Sequence, residues 1–341
     1  MNHSKSSPHL FDLYATSPQK VTEAGFRIAA TAENFPALNG LSVALLALKP
    51  KGFREPHWHP NAAELSYCLQ GKALMTIFSP GAGHDTFLIE AGDLAYVPMG
   101  YMHHIENVGE TEVKLLIGFD HESPEDLNLS NSVQVMPNHI LGATCQLDAA
   151  FFATLKKDAK STFIVSESKP AVPTVADATN RYKMRLETTA PPISNAGGWV
   201  KMSNGFYFPT LQNIAMYSLS LAKNGAREPH WHPNAGELNC LIKGTARITL
   251  LSPDGSVDTF DMKPGAISFM PRGYIHHIEN TGTEEVRFAI FFSNKFPSDL
   301  GLSGVLGAYS NNLLAALFNV PVDFLDKLPK HQTDLLIVGG G

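Results

Sequence analysis

One stretch of this chain is written twice. Arg54-Glu55-Pro56-His57-Trp58-His59-Pro60-Asn61, followed by Glu64-Leu65, returns as Arg227-Glu228-Pro229-His230-Trp231-His232-Pro233-Asn234, followed by Glu237-Leu238. The same offset relates Gly92 to Gly265, His103 to His276 and Asn107 to Asn280, and it holds from Phe35 against Phe208 to Ser130 against Ser303. A tandem duplication of this length constrains the architecture before any element is assigned. With two copies the chain is a double domain rather than a solenoid, which needs at least three repeats. At 341 residues each copy is long enough to bury its own core.

Within each copy the chain reads as short strands. Residues 41–48, 73–78, 86–89, 94–97 and 113–119, and in the second copy 215–221, 246–251, 257–260, 267–270 and 286–292, are apolar or β-rich runs broken by Gly, Pro and Ser-Pro turns. This pattern predicts an all-β chain of antiparallel barrels or sandwiches. Short helices are expected after each barrel, where Leu147 to Leu155 and Phe324 to Leu328 have helical spacing. The expected division is an N-terminal arm over 1–24, a first domain over 25–157, a linker over 158–197 and a second domain over 198–335.

Successive side chains of a strand point to opposite faces, so His57 and His59 share one face and Trp58 packs on the other. Pro60-Asn61 marks a turn, from which Glu64 can swing back toward the imidazoles. A single His-x-His is a weak signal, because histidines are commonly exposed or merely hydrogen-bonded. Repetition of both histidines, the glutamate and the preceding arginine strengthens it. The fourth member comes from a second repeated motif, Gly92…Pro98-Met99-Gly100-Tyr101-Met102-His103-His104…Asn107, whose twin is Gly265…Pro271-Arg272-Gly273-Tyr274-Ile275-His276-His277…Asn280. Gly100 and Gly273 allow a tight turn into a strand carrying a histidine. Alternation lets only one of each adjacent His pair face inward, which leaves His104 and His277 on the outer face.

These paired motifs resemble the two signatures of the cupin superfamily, over residues 25–157 and 180–330. The run from His230 to Asn234, with Gly244-Thr245-Ala246-Arg247 after it, resembles the oxalate decarboxylase bicupins, and the helices after each barrel look like those of germins. The resemblance implies two double-stranded β-helix (jelly-roll) barrels. It also implies two Mn²⁺ ions, one held by His57, His59, Glu64 and His103 and the other by His230, His232, Glu237 and His276. Three neutral imidazoles and a carboxylate suit Mn, Fe, Co, Ni or Zn, so the donor set alone does not name the metal. Arg54 and Arg227 match the family arginine that binds oxalate, and a guanidinium fork holds a carboxylate in two-pronged fashion.

The match is incomplete. The family carries a proton-donating glutamate in a Ser-Glu-Asn-Ser-Thr lid of the first domain, where this chain reads Phe119-Asp120-His121-Glu122-Ser123-Pro124-Glu125-Asp126-Leu127. Glu125 and Asp126 are the available substitutes, and Asp126 recurs as Asp299. A late-strand glutamate of the family is replaced by Ile290, with Ile117 at the equivalent place, and the aromatic after the ligand glutamate by Leu65 and Leu238. The expectation is therefore a metal-dependent bicupin enzyme acting on oxalate or a similar small carboxylate, decarboxylase-like. The alternatives are an oxalate oxidase or another cupin dioxygenase using O₂, and a non-enzymatic germin-like or storage-type metal-binding bicupin.

Composition excludes other classes. A net charge of −6 without a Lys/Arg cluster argues against nucleic-acid partners. The longest apolar run falls far short of the roughly 18 residues that a membrane span needs. Three scattered cysteines, Cys68, Cys145 and Cys240, suggest reduced thiols, and with no secretory signal evident the expected location is cytoplasmic. Self-association into a homo-oligomer is expected from the terminal helices and the resemblance.

Overall fold

The computed structural model describes residues 7–155, 157, 161, 163–167, 180–331 and 333–339. It divides into two compact units. One comprises Thr16–Glu33 and Ser42–Arg185, the other Met1–Ala15, Asn34–Leu41 and Leu186–Gly341. We call them the first and second barrel after the ligand motif each carries. Residues 7–15 and 34–41 thus belong with the second barrel, although they precede the first barrel's motif.

Each barrel is a pair of antiparallel sheets. In the first, one sheet runs in the order Lys183–Met184, Leu94–Val97, Glu64–Gln70, Val113–Phe119, Ser42–Leu48, Gly25–Ala30, Lys20–Thr22. The other runs Leu127–Asn128, Gly52–Trp58, His103–Asn107, Lys72–Ser79, Gly83–Glu90, with Ile164–Ser166 also paired to Gly52–Trp58. Between them packs an apolar core that includes Leu46, Leu48, Met75, Ile77, Ile105 and Leu115. The second barrel repeats this order strand for strand at its centre, with a core including Leu219, Leu221, Ile248, Leu250, Ile278 and Phe288. It also gains an edge strand from the start of the chain, Leu10–Asp12, which pairs with Ala266–Met270. The central strands Ser42–Leu48 and Val113–Phe119 are buried on nearly every residue, which is why they read as continuous apolar runs rather than alternating ones.

Part of the stretch read as a linker is barrel. Phe163 and Leu336 occupy equivalent places, both in the left-handed region (φ 59° and 62°), and each opens a short strand, Ile164–Ser166 or Ile337–Gly339. These strands pair with Gly52–Trp58 and Gly225–Trp231. A buried glutamate seats each one. Glu55 accepts from the Phe163 amide at 2.9 Å, and Glu228 accepts from the Leu336 amide at 2.6 Å. Two further strands of that stretch, Lys183–Met184 and Ile193–Asn195, are edge strands of the barrels, and its residues 158–160, 162 and 168–179 lie outside the described residues.

Short helices follow each barrel: Leu129–Val135, Asn138–Cys145 and Ala149–Ala153 after the first, Leu302–Ala308 and Asn311–Phe318 after the second. Asp148 caps the helix expected near Leu147–Leu155, its side chain accepting from Ala150. The site expected at Phe324–Leu328 is a 3₁₀ turn, Val322–Lys327. No helix among the described residues is long and apolar enough to cross a membrane.

Candidate metal centres

The ligand motif lies where two strands of one sheet face the end of a strand in the other. His57 and His103 are directly paired partners on adjacent strands, and His230 pairs with His276 in the same way. Glu64 and Glu237 begin strands of the opposite sheet. His59 and His232 stand just beyond the end of the first histidine strand. All eight side chains are at most 4% exposed. In each barrel the four donor atoms lie within 4.8 Å of one another.

Hydrogen bonding fixes the imidazoles for ligation. The Nδ1 of His57, His103, His230 and His276 each meets a backbone carbonyl two residues back, at 2.8, 3.0, 2.7 and 2.9 Å. His59 Nδ1 meets the Glu125 carbonyl at 2.9 Å, and His232 Nδ1 that of Ser298 at 2.8 Å. A carbonyl only accepts, so each Nδ1 carries the proton and each Nε2 presents a lone pair inward. In the first barrel the Nε2 atoms of His59 and His103 stand 3.2 and 3.3 Å from one Glu64 oxygen. In the second, His232, His276 and His230 are 2.7, 3.3 and 3.8 Å from Glu237.

Lone pairs converging on a carboxylate repel it unless a cation lies between them. A buried carboxylate without compensation costs several kcal/mol. Protons on Nε2 can take the cation's place: burial alone would raise Glu64, and positively charged His103 and His59 hold it well below the ordinary carboxylate range. His276, His230 and His232 do the same for Glu237. Two buried atoms of the second quartet, Glu237 Oε1 and His276 Nε2, have no hydrogen-bond partner among the described residues. The donor set, the tautomers and these orphaned atoms fit a divalent ion with nitrogen and oxygen ligands and open positions.

The arginines enter these cavities through an irregularity. Strict alternation would turn Arg54 away from His57, three residues on. Across the sheet, however, Arg54 and His57 face Ile105 and His103, which are only two apart, so the strand carries an extra residue at Glu55–Pro56. The second barrel has the same bulge between Arg227 and His230. A bulge re-aims side chains, and proline is tolerated there because it has no amide to leave unpaired. The recurrent Pro56 and Pro229 were the available signal for it.

Arg54 is 3% exposed. It lies flat on Phe163, 3.6 Å from the ring centre, and donates through Nη1 to Asn128 at 2.7 Å. Its Nη2 reaches to 3.4 Å from Asp126 without the alignment of a hydrogen bond. Asp126 also comes within 2.8 Å of His59 Nδ1. Despite burial, its contacts with His59 and Arg54 draw it down to about 2. Arg227 pairs with Asp299 and donates to the Leu336 carbonyl at 3.0 Å. Glu125 is different: its carbonyl holds His59, while its exposed side chain does not line the cavity.

Several wall residues were not anticipated. In the first barrel they are Arg27, Phe119 and Phe163, and in the second Tyr217, Phe292 and Val200. Phe119 and Phe292 stand edge-on to His59 and His232, with ring centres 5.0 and 4.9 Å apart. The cavities are small, about 10 Å³ in the first barrel and about 30 Å³ in the second. His104, expected outward, bonds Glu106 at 2.6 Å and takes no part. The motif asparagines are architectural. Asn107 donates to the Leu48 and Thr111 carbonyls, and Asn280 repeats the arrangement with Leu221 and Glu284.

Known proteins are similar to this chain in sequence and in fold. The chain is 27% identical over 331 residues to the oxalate decarboxylase OxdC of Bacillus subtilis (strain 168), covering 94% of this chain and 84% of that protein. It is 31% identical over 139 residues, 39% of its length, to germin-like protein 3-8 of Oryza sativa subsp. japonica, covering 62% of that protein. A solved structure of the Bacillus subtilis oxalate decarboxylase at pH 4.6 superposes with a TM-score of 0.89 at 26% identity, covering 100% of this chain and 90% of that one. A structure of the same enzyme concerned with its Mn(II) centres superposes with a TM-score of 0.87 at 26% identity, covering 99% and 90%. The family description that matches, over residues 12–151 and again over 184–323, is Cupin. The chain belongs to the cupin family, with one cupin barrel in each half.

Proposed function

We propose that this bicupin is a manganese enzyme that cleaves oxalate to carbon dioxide and formate, or decarboxylates a similarly small carboxylate to the acid one carbon shorter. The observation that carries the reading is Arg54 Nη2. It is a buried guanidinium nitrogen without a hydrogen-bond partner among the described residues, beside Asp126 in the cavity that the first candidate quartet lines. A carboxylate is the group such a fork is shaped to hold. Bound manganese supplies a Lewis-acidic, redox-capable centre beside it. The ligands proposed for it are His57, His59, Glu64 and His103, with His230, His232, Glu237 and His276 in the second barrel.

The chain's own residues supply the rest. Arg54 orients one carboxylate of the substrate, and its stacking on Phe163 keeps the fork in plane. Phe119, Ile105 and Ile117 exclude water from the reacting carbon–carbon bond. Asp126 occupies the space beside Arg54 that the substrate must enter, so binding displaces it while leaving it next to the cavity. Held ionised, it takes the proton of a hydrogen oxalate, which leaves the substrate bound as the dianion. When the bond breaks and the electron pair stays on the one-carbon fragment, Asp126 returns that proton to carbon, giving formate.

Elemental analysis of purified protein, beside an oxalate assay scoring formate, carbon dioxide and peroxide, tests this. Formate and carbon dioxide in about equal amounts are expected. Peroxide with two carbon dioxides per oxalate would make the enzyme an oxidase that consumes O₂, with Asp126 as a base only. No turnover by manganese-loaded protein would remove the oxalate reading altogether.

Self-association belongs to the same proposal. The short helices expose Val135, Ile140 and Phe151 after the first barrel, and Leu317 and Phe318 after the second, which suits packing against another copy; light scattering reads the outcome. The free thiols Cys68, Cys145 and Cys240 support a reducing, cytoplasmic setting.

A further inference from the structure

The two cavities keep the same quartet and the same arginine–aspartate pair, but they differ in charge. Arg27 projects from the strand Gly25–Ala30 into the first cavity, and Val200 holds the matching place in the second. Its guanidinium lies 6.0 Å from the Phe119 ring centre and 5.8 Å from that of Phe163, the ring on which Arg54 also stacks. The Arg27 carbonyl accepts from the Gln19 amide at 3.1 Å, but among the described residues its guanidinium makes no hydrogen bond or salt bridge, although its charge acts on Asp126, and Arg54 Nη2 in the same cavity has no hydrogen-bond partner. Two guanidiniums therefore present free donors to one small, aromatic-walled space.

Formal charge sorts the cavities. With Glu64 and Asp126 ionised, Arg27 and Arg54 bring the side chains of the first cavity to neutrality. In the second, Glu237 and Asp299 face Arg227 alone, which leaves one negative charge. The same divalent ion thus leaves two positive charges in the first cavity and one in the second. The second cavity has Tyr217 on its wall, a hydroxyl that burial pushes up to about 12 and that therefore adds no charge.

We propose that Arg27 is a specificity-determining residue that makes the first cavity a site for dianionic dicarboxylates, while the second cavity, with Val200 in its place, takes monoanions. The carboxylate on Arg54 gains a second cationic partner only when the ligand carries a second negative charge to share. This inference rests on the carboxylate reading of the site but not on turnover.

Titration calorimetry on manganese-loaded, full-length protein tests it, with oxalate and malonate as dianions and formate as the monoanion. Arg27→Val copies the second barrel, Arg27→Gln removes the charge at similar length, and Arg27→Lys keeps the charge without the fork. Loss of a charge-assisted hydrogen bond predicts roughly tenfold or weaker dianion binding in the first two variants, with formate shifted less than about twofold and Arg27→Lys in between. Thermal melting confirms that each is folded, and Arg27→Gln decides the matter if Arg27→Val is not. Val200→Arg should strengthen dianion binding at the second site. Unchanged dianion binding, an equal loss for formate, or no anion binding by the parent protein would overturn the proposal. Dianion binding that depends on Arg27 without oxalate turnover would instead remove the enzymatic reading and leave this one standing.

Discussion

The two barrels of this chain are copies whose candidate metal quartets agree closely and whose cavity walls do not. His57, His59, Glu64 and His103 match their counterparts in burial, in tautomer and in the carbonyl each Nδ1 meets. Around them, Arg27 faces Val200, Asn128 faces Gly301 and Glu125 faces Ser298 at equivalent positions. Ser66, whose hydroxyl donates to Glu64 at 2.7 Å, becomes Asn239, and Glu237 Oε1 loses that partner. Ligand geometry tolerates little change, because four donors from two sheets must converge on one ion. Walls can drift as long as the barrel stays packed. The difference teaches that the candidate ligand set is common property, and that what sits beside it is where the two halves part.

Removing one ligand from each barrel should produce the largest contrast. His57→Ala and His230→Ala should each lower bound manganese by about half, as elemental analysis reads it. Only His57→Ala should abolish oxalate turnover, by roughly a thousandfold or more, since several kcal/mol of charge stabilisation go with the ion. Equal losses of turnover from both would make the barrels functionally equivalent and break the comparison.

The arginines come next. Arg54→Ala removes charge-assisted hydrogen bonds to substrate, and a loss of about ten- to a hundredfold in kcat/KM is expected. Arg227→Ala should cost less than about threefold. A reversed ranking would move the working site to the second barrel, where the larger cavity lies.

How much of this was legible follows from what kind of signal each feature leaves. The quartets were readable because they combine a two-residue alternation with a fixed spacing that occurs twice. The inward turn of Arg54 was not, because a bulge adds one residue at Glu55–Pro56 and inverts the alternation behind it. The strand Ile164–Ser166 was hidden in a stretch taken for linker. Phe163 and its counterpart Leu336 share a backbone conformation and a glutamate partner, but not a side chain. Arg27 looked like an ordinary strand residue, since nothing local says that its strand closes over a cavity built by residues as far along the chain as Asp126 and Phe163. The helix Asn138–Cys145 carries Gly142 and Thr144, poor helix formers, so its periodicity was faint.

Where the barrels agree, so should their responses. Gly100 and Gly273 adopt φ of 79° and 83° and donate their amides to the His59 and His232 carbonyls at 2.9 and 3.0 Å. A Cβ at either place meets nothing within 4 Å, so alanine brings backbone strain without a clash. Each substitution should cost about 1–2 kcal/mol, lowering Tm by a few degrees and by the same amount in both barrels. Unequal shifts would show that one ligand turn carries more of the fold than the other.

The smallest effect is expected from Glu125→Gln, which sharpens the comparison most finely. Glu125 replaces Ser298 at the same point of the chain, and both use only their carbonyl to hold a ligand histidine. Because the Glu125 carboxylate is exposed and does not line the cavity, the substitution should change oxalate turnover by less than about twofold and leave the ratio of formate to peroxide alone. A loss beyond tenfold, or a swing toward peroxide, would mean that the segment around Asp126 turns over during catalysis and brings Glu125 inward as the proton carrier. Asp126 would then be the residue that swings out, and the first barrel would differ from the second by a moving loop as well as by its added guanidinium. Combining Glu125→Gln with Asp126→Asn separates the two: if Asp126 alone carries the proton, the double variant behaves as Asp126→Asn does.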